Sequence, residues 1–134
     1  MKSAYWPDAT DDHGVFSGNA MAFVEMCMVA HLKWRSTNHC ILNHDIELDP
    51  DGQRARGEIY NVSYLFQAEA DILDTWHGRY LDLYEKRGEQ WRILERVCVH
   101  EGTHSQLITP MDIDSATFRQ GDVDRPSTGR PLGT

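Results

Sequence analysis

The chain has 134 residues, 40% of them hydrophobic, which is the size and composition of a single globular domain with its own core. Thirteen Lys and Arg against twenty-one Asp and Glu leave a formal charge of -8, which excludes the basic surface that a nucleic-acid partner requires. No apolar run approaches the roughly 18 residues of a membrane span, and the opening MKSAYWPDATDD lacks the apolar centre of a signal peptide. A cytoplasmic protein without a membrane partner is the expectation. Three widely spaced cysteines, Cys27, Cys40 and Cys98, sit among apolar neighbours and read as reduced, buried thiols instead of a disulfide framework.

In chain order, SGNAMAFVEMCMVAHLKWR predicts an amphipathic helix from about Ser17 to Arg35. Ser17 and Asn19 are capping types, and Phe23, Cys27, Ala30 and Trp34 recur at helical spacing. Met21, Met26 and Met28 beside that stripe read as helix packing. The segment HCILNHDIELD then alternates as a strand, with His39, Ile41 and Asn43 on one side and Cys40, Leu42 and His44 on the other. Asp49-Pro50-Asp51-Gly52 is a turn by residue type, leading into a second strand, QRARGEIYNVSYLF. A polar connection around QAEAD precedes a third strand, TWHGRYLDLYEKR, which turns at Gly88-Glu89 into a fourth, QWRILERVCVHE. Two hairpins of long strands with one helix predict an α+β domain over residues 1–110. Beyond Pro110 the sparse apolar residues and scattered Gly and Pro predict an extended or flexible tail over 111–134.

His100-Glu101-Gly102-Thr103-His104 matches H-E-x-x-H, a zinc signature that works only on a helix, where both histidines share a face. Here Val97 and Val99 continue a strand alternation from Trp91 and Ile93. Gly102 weakens a helix by roughly 1 kcal/mol relative to Ala, and no later Glu or His offers a third ligand. No metal site is expected, and the histidines at 31, 44, 77, 100 and 104 read as surface or packing residues.

From Tyr5 to about His100 the chain resembles the SnoaL-like branch of the nuclear transport factor 2-like superfamily. The resemblance is carried by YWPDATDDHGVFSG, TNHCILN and GEIYNVSY in order. It is sharpened by G-R-Y-x-D with a following G-x-x-W-R-I (Gly78, Arg79, Tyr80, Asp82, Gly88, Trp91, Arg92, Ile93) and by T-x-H-x-x-x-N (Thr37, His39, Asn43). It implies a cone-shaped half-barrel, a curved and mostly antiparallel sheet packed on helix, with an apolar pocket in its mouth. Its relatives include polyketide cyclases, scytalone dehydratase, lindane dehydrochlorinase and bile acid dehydratase, some of which use a strand His paired with an upstream Asp to take a proton from carbon. His39 matches that His, while the chain starts where the usual upstream helices end, so the Asp has no matching position. A second polar position of some relatives, near the end of GEIYNVSYLF, is Leu65 here, with Ser63 and Tyr64 adjacent.

These residues give the expected site: His39 as base, a neutral imidazole in a partly apolar pocket; Asp82 as its orienting acid; Asn43, Tyr60, Tyr80 and Arg79 as substrate-binding groups. Asp82 has an alternative as a cross-hairpin partner of Arg79 or Arg92, and Asp11-Asp12-His13-Gly14 reads as turn and capping chemistry. The expected activity is that of a cofactor-independent lyase or isomerase on a small hydrophobic carbonyl or hydroxy compound. The alternatives are a ligand-binding or oligomerisation module without turnover and a shortened family member complete only as an oligomer. A homodimer through the outer sheet face is expected.

Overall fold

The computed structural model describes residues 1–118. A six-stranded mixed sheet forms in the order β2-β1-β6-β5-β4-β3, and one helix, α1 (Ala20–Ala30), packs on its inner face. The strands are β1 (Tyr5–Asp12), β2 (Ser17–Asn19), β3 (Trp34–Leu48), β4 (Arg54–Gln67), β5 (Ile72–Arg87) and β6 (Gln90–Leu107). The sheet is curved and unclosed, an α+β half-barrel. All pairings are antiparallel except β1 against β6. Residues 119–134, most of the expected tail, lie outside the described residues.

The alternation of β4 sets the two faces. Ala55, Gly57, Ile59, Asn61, Ser63 and Leu65 are buried on the inner face, while Arg54, Arg56, Tyr60 and Tyr64 are exposed on the outer one. Asn19, not Ser17, caps α1, its side chain accepting from the N–H of Met21 (2.9 Å) and Ala22 (3.4 Å). The helix buries Ala20, Phe23, Val24 and Cys27, at the i, i+3, i+4, i+7 positions of one face. It is shorter than expected: after a single tight turn at His31–Lys33 the chain is already extended at Trp34. Trp34 and Arg35 therefore belong to β3, and Ala30 is exposed.

Two strands were not expected. β1 carries Pro7 and three Asp, types depleted in strands. It pairs at the edge of β6 with a register shift between Tyr5 and Thr10 that spans the proline, which has no N–H to give. Trp6 pins β1 in place. Its ring lies 4.8 Å from the guanidinium of Arg87 and 4.8 Å from that of Arg92, and its Nε1–H donates to the Glu85 carbonyl at 2.9 Å. Arg87 also clamps Asp8 with two bonds of 2.7 and 2.9 Å. The core beneath is Tyr5, Trp6, Ala9, Ala20, Val24 and Ile93. Both expected turns are present, with positive φ at Gly52 (67°) and Gly88 (61°) where the backbone reverses.

Candidate functional site

A polar seam lines the inner face beneath α1. At one end of it, Phe23 stacks on His13 with ring centroids 4.1 Å apart; at the other, His31 stacks on His39 at 5.8 Å. Positions 23, 27 and 31 follow one another along one side of the helix and the turn after it, so this stripe roofs the seam.

At the far end, His39 Nδ1 lies 2.9 Å from Ser63 Oγ, Ser63 donates to Asn61 Oδ1 at 3.0 Å, and Asn61 Nδ2 donates to the Tyr80 hydroxyl. Asn61 and Ser63 are buried, at 1% and 3% exposure, and fully bonded. His39 remains exposed on its open side although its ring is shielded by His31. Burial of the ring, and secondarily the neighbouring His31, hold its pKa below the ordinary value. Among the described residues Nε2 of His39 has no hydrogen-bond partner.

In the middle of the sheet Tyr80 is buried, and burial raises its phenol to about 12 against the opposing effect of Arg96. The Arg96 guanidinium lies 3.9 Å from the Tyr80 ring centroid and gives two 2.7 Å bonds to Asp82, which also accepts from the Tyr84 hydroxyl at 2.8 Å. At the near end the fully buried Asp11 carboxylate accepts from the Tyr5 hydroxyl at 2.7 Å and meets His13 Nδ1. Burial pushes Cys98 up to about 12, and Asp11 adds to the shift, so this thiol is a poor thiolate. The three cysteines are free, Cys27 buried and Cys40 and Cys98 half-buried.

Of the six expected site residues, the fold brings His39 and Tyr80 onto this seam. Asp82 is on the same face but does not orient His39. It opposes Gly57, six residues along β4 from the Ser63 that opposes His39, about 20 Å at strand rise. Its partner is Arg96, not the Arg79 or Arg92 of the alternative reading. Asn43 is corrected by a bulge. Ile41 opposes Asn61 but His44 opposes Ile59, so His44 and Ile46, not Asn43, continue the face of His39. Tyr60 and Arg79 are on the outer face, where Arg79 bonds Glu58 (2.7 Å) and Glu101 (2.8 Å) and lies over the Tyr60 ring. They are structural neighbours of each other, on the side of the sheet away from His39.

Two open hollows, of about 840 and 340 Å³, also lie along the outer side. The larger runs past Glu47, Glu58, Leu81 and Val97, and the smaller past Leu42, Tyr60, His77 and Glu101. Neither of these two hollows is lined by His39, His13 or Tyr80, although Asp82 borders the larger and Asn61 the smaller.

The H-E-x-x-H segment lies within β6. A bulge at Glu101 puts His100 opposite Gly78 and His104 opposite Thr75, hence on opposite faces of the sheet. No cluster of His, Cys, Asp or Glu among the described residues is arranged to hold a metal ion, and no helix there is long and apolar enough to cross a membrane. Sequence reasoning missed Asp11, His13, Asn61 and Ser63 as site residues. In YWPDATDDHG the buried register of Ala9 and Asp11 was the available signal. Asp12 does the turn work instead, accepting from the Gly14 N–H at 2.9 Å.

The fold resembles solved structures that share little sequence with this chain. One is the hexachlorocyclohexane dehydrochlorinase LinA-type3 from Novosphingobium barchaimii, at 16% identity and TM-score 0.68, covering 81% of this chain and 78% of that one. A protein named provisionally as a scytalone dehydratase, from Novosphingobium aromaticivorans, matches at 16% identity and TM-score 0.67 over 84% and 78% of the two chains. A provisional calcium/calmodulin-dependent protein kinase II association domain from Xanthomonas campestris matches at 18% and 0.60 over 74% and 70%. Among curated proteins there is no significant match. The family model for the SnoaL-like domain aligns with residues 1–97, well over half of the sequence, and the chain belongs to that family, within the nuclear transport factor 2-like superfamily.

Proposed function

We propose that the protein is a cofactor-independent lyase or isomerase that removes a proton from carbon next to a carbonyl in a small apolar substrate. Family membership, and the fold shared with proteins named as a dehydrochlorinase and a scytalone dehydratase, support the reaction class. The observation that carries the reading is His39. It matches the family's strand His by its place in T-x-H-x-x-x-N and lies on the inner face, Nδ1 engaged by Ser63, Nε2 open, and its pKa lowered so that the imidazole is neutral near pH 7. The base takes the proton, and the carbonyl delocalises the electron pair left on carbon. A leaving group on the next carbon then departs, or a proton returns elsewhere.

The test is exchange of α-protons for deuterium on cyclohexanone and acetophenone in D2O, followed by proton NMR. Wild-type protein should accelerate exchange over buffer, and His39→Gln should slow it at least about tenfold, a threshold set below the usual general-base contribution of about 10²–10⁴-fold. Exchange at the buffer rate with wild-type protein removes the activity. The second reading, a binding module without turnover, is favoured by one feature: no carboxylate contacts His39 among the described residues. Binding of either ketone without exchange would establish it.

A further inference from the structure

His39 lacks an acid partner, but another histidine of the same face has one. Asp11 is fully buried, and its two oxygens are used by the Tyr5 hydroxyl and by His13 Nδ1. With Nδ1 facing the Asp11 carboxylate, the contact suits the Nδ1–H tautomer of the ring, in which the Nε2 lone pair is free. The ring is held by Phe23 on one face (4.1 Å, 22° between planes) while its side chain keeps 20% exposure. Tyr80 lies 5.9 Å away between ring centroids. Ser63 fixes the Asn61 amide so that Nδ2 faces the Tyr80 oxygen, which accepts; the phenol's own hydrogen is therefore uncommitted among the described residues. The Arg96 cation over the Tyr80 ring partly offsets the burial that weakens the phenol as a donor.

We propose that His13, Asp11 and Tyr80 form a second acid–base site for small ketones, with His13 as base, Asp11 as its positioning residue and Tyr80 as hydrogen-bond donor to the carbonyl oxygen. The proposal rests on the proton-abstraction reading above but not on His39. The two bases stand apart, His13 on Phe23 and His39 on His31, eight residues along the helix and the turn after it, about 12 Å at helical rise, although the Tyr80 hydroxyl is linked to His39 through Asn61 and Ser63. In the step, the C–H electron pair becomes the C=C of an enolate whose oxygen accepts from Tyr80, and the proton passes to His13 Nε2. Asp11 stabilises the imidazolium so formed, as a carboxylate does wherever it holds the far nitrogen of a catalytic imidazole. The imidazolium exchanges its proton with solvent and returns a deuteron to carbon.

The experiment uses the same ketone exchange in a His39→Gln background. Residual exchange should remain there, fall at least about tenfold with His13→Ala, and recover in part with added imidazole. Tyr80→Phe, which keeps the ring, should slow it as well, and far-UV circular dichroism checks that each variant is folded. Long-range nitrogen-15 NMR of wild-type protein reads the tautomer directly, expected as Nδ1–H at His13. A proton on Nε2, residual exchange indifferent to His13→Ala, or no residual exchange at all in His39→Gln overturns the second site while leaving the first. No exchange with wild-type protein overturns both.

Discussion

At the scale of single residues, His39 ties pH to stability as well as to chemistry. Its folded-state pKa lies below the unfolded value of 6.5, through burial first and His31 second. The folded state therefore binds this proton less tightly than the unfolded chain. The stabilising difference is complete above pH 6.5 and is lost as pH falls from there through the lowered folded value. His31, lowered by burial and by Lys33, acts in the same direction. Urea unfolding at pH 7.5 and pH 5.5 should show a smaller loss on acidification for His39→Gln than for wild type; an unchanged loss would mean that the ring is not shielded in solution. The same residue shows how a period-two reading succeeds and fails. His39 and Ile41 face inward as their spacing said, but the bulge before His44 turns Asn43 out of that register, and no residue type in CILNH announces a bulge.

The second bulge, in β6, acts at the scale of elements by fixing what Gly78 can be. A Cβ on Gly78 would lie 2.1 Å from the Val99 carbonyl oxygen and 2.6 Å from the Trp76 ring, whereas a Cβ on Gly102 would meet only the His77 ring, at 3.3 Å. Backbone cannot step aside as a ring can. Gly78→Ala should therefore destabilise the β5–β6 hairpin by about 1–3 kcal/mol, the usual range for overpacking, and Gly102→Ala by clearly less, both read from chemical denaturation midpoints. Equal costs would show that the strands are not held this close. The long hairpins were legible because β4 and β5 alternate and their turns carry Gly at positive φ. β1 was not legible. Its partners are about 85 residues away in sequence, its pairing is parallel, and it is held by Trp6 and Asp8 through Arg87 and Arg92 instead of by strand propensity. That miss hid part of the site, because β1 is what carries Asp11 under the helix beside His13.

For the whole molecule, the open question is what meets the outer face of the sheet. Leu42, Tyr60, Leu81 and Val97 stand 41–49% exposed there. Opposed strands bring Leu81 next to Val97, and Tyr60 next to Arg79. Arg79, the cation among them, is already neutralised by Glu58 and Glu101. A contiguous strip of this kind is costly to leave in water. A twofold axis across it would set each copy's strip against the other's, the commonest way such a face is closed. We expect a homodimer through this face, its mass by light scattering at micromolar concentration about twice the 15.4 kDa of the chain. Leu81→Glu combined with Val97→Glu adds two charges on each side of the axis to a chain already at -8 and should shift the protein to monomers at the same concentration. The double variant should keep the wild-type far-UV circular dichroism, since both side chains point away from α1. A wild-type monomer would overturn the dimer and leave the strip facing water. A double variant that stays dimeric would move the contact to the other exposed apolar strip, Ile41, Ile46 and Leu48 on the inner side of β3, each 50–58% exposed. In that arrangement the partner would cover the rim next to His39, and ketone exchange at His39 would depend on protein concentration.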